Sequence, residues 1–118
     1  FISHDLRIVF RIADRISVMY AGKIVEEGSK EDVLCRPSHP YTRGLIDSVP
    51  SIEHRKKRFN AIDGKAPLFS GLPQGCKFYP RCRFRIDECR ELEPELEEIG
   101  GGHRARCIRW QVVGAINR

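Results

Sequence analysis

The residues best suited to chemistry in this sequence are thiols. Cys76, Cys82, Cys89 and Cys107 follow a long stretch whose only thiol is Cys35, which points to one shared centre rather than scattered core residues. The intervals between them are five, six and seventeen residues. A zinc ribbon or finger brings its ligands in tight pairs about two to four residues apart, each pair forming one knuckle. No such pair exists here. Four thiolates on long, unequal loops suit an iron–sulfur cluster, which is larger than one zinc ion and takes a cysteine at each corner. Two disulfides fit the same spacing, so both chemistries stay open at this point. Lys77, Arg81, Arg83 and Arg85 lie between the thiols in sequence and are placed to lower their pKa.

The elements around the thiols read as α/β, or α+β for the chain by itself. Phe1-Ile-Ser-His-Asp5 is the tail of an apolar strand breaking into a helix that Ser3 or Asp5 can cap. Leu6, Val9, Phe10 and Ala13 recur at helical spacing and predict an amphipathic helix packed on something. Ile16–Tyr20 is a strand pattern, Ala21-Gly22 a tight turn and Lys23–Gly28 a second strand. Ser29-Lys-Glu-Asp32 opens a short helix that Pro37 stops, and Cys35 falls on its apolar stripe as a core residue. His39-Pro-Tyr-Thr42 opens another helix with proline in a tolerated first-turn position, and Tyr41, Leu45 and Val49 share the face expected to dock.

Residues 1–50 thus form one unit, and 51–65, polar and basic without period, read as a linker. From 66 to 118 the composition shifts to glycine, proline and cysteine, giving a small irregular unit stapled by its thiol centre. Gly100-Gly-Gly102 reads as a flexible joint returning the chain to His103 and Cys107.

The chain has 118 residues, 41% of them apolar and 31% charged, ordinary values for a globular protein, and no stretch is apolar and long enough to cross a bilayer. Met19 is the single methionine and no charged-then-apolar leader is present, so Phe1 is expected to be a cut within a longer chain. The net charge of +5 is moderate. Its one dense run, His54-Arg-Lys-Lys-Arg58, has no interleaved aromatic platform and reads as a solvated linker rather than a nucleic-acid site.

Two segments coincide with one family. Ile2-Ser-His-Asp-Leu6, Ala13-Asp-Arg-Ile16 through Glu26, and His39-Pro-Tyr-Thr42 with Gly44-Leu45 resemble the end of the nucleotide-binding subunit of an ATP-binding-cassette (ABC) transporter of the oligopeptide/dipeptide import group. Leu72-Pro-Gln-Gly-Cys76, Pro80-Arg-Cys82, Cys89, Pro94 and His103-x3-Cys107 resemble the C-terminal extension of the same subunits. The resemblance implies the last helix, strand and hairpin of the nucleotide-binding domain, followed by a domain holding a [4Fe–4S] cluster on Cys76, Cys82, Cys89 and Cys107. Zinc on four cysteines, or on three with His103, stays open, and His103 is otherwise expected to donate a hydrogen bond to one of the ligands or to face solvent.

His4 matches the switch-loop histidine of that family, which contacts the γ-phosphate and helps orient the attacking water; in such transfer, positioning and electrostatics are most of the catalysis. Asp5 is expected to cap the helix rather than act as a base. The resemblance further implies ATP and Mg in the complete subunit, a second ATP-binding subunit, two transmembrane permease subunits, an extracytoplasmic solute-binding protein as an indirect partner, and a peripheral place on the cytoplasmic face of the membrane. The phosphate-cradling Gly-x4-Gly-Lys-Ser/Thr loop is absent from the sequence. The chain alone is therefore expected neither to bind ATP tightly nor to hydrolyse it, and to expose apolar surface where further sheet would pack. Two competing readings remain. One is a free-standing zinc- or cluster-binding module that holds nucleic acid through its basic linker; the other is a small secreted disulfide protein.

Overall fold

The computed structural model describes residues 5–48 and 73–115. His4, the linker and the basic run lie outside the described residues. Helix α1 spans Leu6–Ile12, and its N-terminus is capped as expected, with the Asp5 carboxylate accepting from the Arg7 N–H at 3.1 Å. No residue of α1 is buried, and Ile8 and Ile12 are 44% and 56% exposed. The stripe that predicted docking, Leu6, Val9, Phe10 and Ala13, is half-buried, and Ile8 and Ile12 lie on the exposed side of the helix. Lys30 ties down its far end by donating to the Phe10 carbonyl at 2.9 Å.

Strands β1 (Arg15–Tyr20) and β2 (Lys23–Ser29) form an antiparallel hairpin. Its two-residue turn has Ala21 at φ 52° and Gly22 at φ 81°, the left-handed pair that matches strand twist. The register slips by one between Val18 and Met19, leaving Val25 as the extra residue on β2. A bulge re-aims side chains, and here the consecutive residues Val25 and Glu26 are both buried, at 5% and 0% exposure. Strict alternation would have sent one of them to solvent.

Helix α2 (Lys30–Cys35) starts where Ser29 Oγ accepts from the Asp32 N–H. Val33 is its buried residue, whereas Cys35 is exposed, so the expectation of a core Cys35 is corrected. In a helix this short, only one position per turn faces the sheet. Helix α3 (Pro40–Asp47) is capped by His39, whose Nδ1 accepts from the Tyr41 N–H. It buries Pro40, Thr42, Arg43 and Ile46, while Tyr41 and Leu45 are half-buried. The docked face is thus rotated from the Tyr41–Leu45 stripe; Val49 lies outside the described residues.

The cysteine-bearing part is less irregular than its composition suggested. Two short 3-10 helices, Tyr79–Arg81 and Asp87–Arg90, lead to strands β3 (Glu97–Gly100) and β4 (His103–Ala105) and to helix α4 (Trp110–Ala115). Gly100–Gly102 make the tight β3–β4 turn rather than a flexible joint, with φ of 146°, 56° and 87°. Strand β4 also pairs with β2, Glu26 opposite Ala105 and Glu27 opposite Arg104. The result is one antiparallel sheet in the order β1-β2-β4-β3, shared by both parts of the chain. Their cores merge as well. Tyr20 and Val25 of the hairpin pack with Phe78 and Cys82, and the Tyr20 and Phe78 rings meet edge to face at 5.1 Å.

Candidate metal centre

The four clustered cysteines come together on one cavity. Cys76, Cys82, Cys89 and Cys107 all line a pocket of about 350 Å³, counting the space at its mouth, whose remaining wall includes His39, Phe78, Tyr79, Phe84 and Pro94. Each thiol arrives from a different local device. The Cys76 N–H donates to the Cys89 carbonyl at 2.9 Å, which pins the first ligand candidate to the third. Gly75 makes this approach possible, since a Cβ there would lie 2.5 Å from the Cys89 oxygen and 2.6 Å from Arg90 backbone atoms. Cys82 closes the first 3-10 helix, and Cys89 sits buried within the second. Cys107 follows β4, carried by Arg106, whose N–H donates to the Val25 carbonyl at 2.8 Å and whose Nε donates to Ile24.

The sulfurs are set up as acceptors. Cys82 Sγ accepts from the Phe84 N–H and Cys107 Sγ from the Arg109 N–H, both at 3.3 Å. Burial nevertheless dominates their titration. It pushes Cys82 up to about 11 and Cys107 up to about 12, and raises Cys76, with the neighbouring thiols adding to each shift. The expectation that the interleaved cations lower these pKa values is corrected, because most of them are turned to other work. Arg81 donates to the Tyr20 hydroxyl, Lys77 to the Pro73 carbonyl, and Arg83 is exposed. Arg85 donates to the Cys82 carbonyl and acts on that thiol only as a minor lowering influence.

All five cysteines are free thiols. Among the described residues no three His, Cys, Asp or Glu side chains are gathered closely enough to hold a single metal ion. What the structure does bring together is four soft donors, Cys76, Cys82, Cys89 and Cys107, on the wall of one cavity.

His103 is not part of that wall. It is 5% exposed and its Nε2 lies 2.6 Å from Oε2 of Glu26, which is itself fully buried. The solvent-facing role is thereby corrected, and the three-cysteine-plus-His103 set for zinc loses its imidazole to the carboxylate. The same carboxylate accepts from the Ser38 N–H, at 2.9 Å to Oε2, and from the His39 N–H, at 2.9 Å to Oε1. Glu26 thus joins β2, the entry to α3 and β4. The histidine that does line the cavity is His39, which the sequence marked as a helix start and part of the family's His-Pro-Tyr-Thr element but not as a neighbour of the thiols. Burial holds its pKa down at about 3, helped by Arg106. A polar Glu26 next to the apolar Val25 was the available signal for the buried node, but only the bulge turns it inward.

Comparison with known proteins completes the picture. The family model for the oligopeptide/dipeptide transporter C-terminal region matches residues 25–89, which include Glu26, His39 and three of the four cysteines. A putative peptide import ATP-binding protein of Brucella ovis is 42% identical over 98% of this chain and 36% of its own length. An oligopeptide transport ATP-binding protein of Bacillus subtilis is 41% identical over 97% of this chain and 35% of its own. A dipeptide transport ATP-binding protein of Haemophilus influenzae is 42% identical over 90% and 32%. The chain belongs to the family of ATP-binding subunits of oligopeptide/dipeptide-type ABC transporters and corresponds to their C-terminal region. It spans about a third of the length of these relatives. Among the described residues no helix is long and apolar enough to cross a membrane.

Proposed function

We propose that this chain is the C-terminal part of the ATP-hydrolysing, energy-coupling subunit of an importer of oligopeptides, dipeptides or related solutes. Its family membership, with relatives named as peptide, oligopeptide and dipeptide ATP-binding proteins, carries this reading. The whole subunit would use ATP and Mg, pair with a second ATP-binding subunit on the cytoplasmic face of the membrane, and drive two permease subunits fed by a solute-binding protein. His4 is the catalytic residue assigned to this stretch; its imidazole contacts the γ-phosphate and orients water, so charge growing in transfer meets a preplaced donor. His4→Ala in the complete subunit is expected to abolish turnover in the assembled transporter while ATP binding persists. Turnover near the parent rate would remove His4 from the mechanism. The chain alone is expected to show no ATPase activity.

For the extension we propose a [4Fe–4S] cluster held by Cys76, Cys82, Cys89 and Cys107, acting chiefly as a staple. The supporting observation is that these four thiols, and no other cysteine, line one cavity. When bound, such a group supplies positive charge that converts raised-pKa thiols to thiolates, and its bonds to the chain add folding free energy to a small unit. The protein's own part is to bring the sulfurs to one cavity, with Gly75 letting the Cys76 and Cys89 segments meet and the two 3-10 helices and the β4 exit placing the others, and to exclude water with Phe78, Phe84 and Pro94. Iron and acid-labile sulfide with broad visible absorption in anaerobically purified protein is the expected result. A colourless protein with stoichiometric zinc replaces this assignment, and two disulfides without metal remove both.

A further inference from the structure

Of the two described histidines, only His39 reaches the thiol cavity. Its ring is 1% exposed and packs 5.8 Å, centroid to centroid, from Phe78. Nδ1 accepts from the Tyr41 N–H at 3.0 Å, so Nδ1 carries no proton and the neutral ring holds its proton at Nε2. The ring cannot swing away easily, because the His39 N–H is anchored at 2.9 Å to the buried Glu26 carboxylate, which Ser38 and His103 also hold. A ring N–H on the wall of a cavity can donate to an acceptor held in it. The contacts that fix the ring use Nδ1 and the backbone, and neither uses Nε2.

We propose that His39 is a positioning and tuning residue of the cysteine centre, its Nε2–H donating a hydrogen bond to a cysteine sulfur or sulfide of the group held there. This rests on the iron–sulfur reading above. A donor at sulfur disperses negative charge, and the reduced cluster carries one more electron than the oxidised one, so the bond favours the reduced form and raises the potential. No proton is transferred.

The test compares the full chain, purified anaerobically, with His39→Leu and His39→Gln, the second keeping both an acceptor for Tyr41 and an N–H donor. His39→Leu is expected to lower the reduction equilibrium constant about tenfold, ~59 mV for one electron, at unchanged iron and sulfide per chain, and His39→Gln to recover most of it. A His39→Leu protein with full cluster content and a midpoint within about twofold of the parent overturns the proposal. Should His39→Leu not fold, parent protein labelled with 15N-histidine decides instead. Its reduced cluster must show a 15N coupling in pulsed EPR that disappears in His39→Gln, and no such coupling overturns the assignment. Parent protein holding no iron and sulfide overturns the cluster reading itself, and this inference with it, which separates the two failures.

Discussion

His39 stands between two buried centres that are built in opposite ways. On one side, the Glu26 carboxylate is met by the His103 ring and by the N–H groups of Ser38 and His39, all within 2.6–3.1 Å. Its charge is compensated by donors from the chain itself, as buried charge requires. On the other side, the thiols of Cys76, Cys82, Cys89 and Cys107 face a common cavity, and the bonds that reach Cys82 and Cys107 come from backbone N–H groups two residues on. Burial drives these thiols toward their neutral form. The difference teaches what each centre can be. A node satisfied by its own chain is a structural lock, whereas the thiols converge from separate segments on one cavity and stay free.

Breaking the lock should have the largest effect. Glu26→Ala leaves the His103 ring and two buried N–H groups without their acceptor, and is expected to cost about 3–5 kcal/mol of stability by urea unfolding. Glu26→Gln, which keeps an oxygen acceptor, should lose less. A loss under about 1 kcal/mol for Glu26→Ala would show that water replaces the carboxylate and that the node is no lock.

Gly75→Ala attacks the cysteine side. Backbone at 2.5–2.6 Å cannot yield cheaply, so about 1–3 kcal/mol of destabilisation is expected, with a separated Cys76–Cys89 pair. Metal content per chain should fall with it; a variant retaining both stability and metal would show that the two segments do not need their close contact.

The two centres also predict opposite pH signatures. His39 is held neutral at about 3, below its ordinary 6.5, so its contribution is present above pH 6.5 and is lost as pH falls toward 3. The thiols are raised from 9 to about 11 and 12 at Cys82 and Cys107, so for metal-free protein their contribution is present below pH 9 and is lost as pH rises toward 12. Thermal unfolding across pH should therefore show an acid limb that flattens in His39→Asn and an alkaline limb that does not. An acid limb unchanged in His39→Asn would assign it elsewhere. The smallest effect belongs to Cys35→Ser, an exposed position, expected within about 0.5 kcal/mol and without change in metal content.

Much of the local structure was legible from residue types. Asp5 and Ser29 cap the helices they precede, Ala21-Gly22 turns the hairpin, and Pro40 opens α3, because each of these signals acts within one turn of chain. Strands β3 and β4 were not legible. Glu97–Gly100 and His103–Ala105 lack β-branched alternation, and they are strands because β2 offers β4 an edge. Cys35 misled for a related reason, since its place on an apolar stripe says nothing of which stripe the sheet covers.

The sequence by itself determined the family to which the chain belongs and the four thiols that form a group, because both are carried by residue identity and spacing. Tertiary structure decided which histidine faces them. His103, four residues before Cys107, stayed open as a zinc ligand beside three cysteines and was otherwise expected to donate to a ligand or face solvent, and the inward turn of Glu26 at the Val25 bulge holds it instead. His39, far from every cysteine in sequence, came to the cavity because its helix packs against the same hairpin. Spacing reports which residues share a loop, but packing of separate elements on one sheet sets which share a cavity.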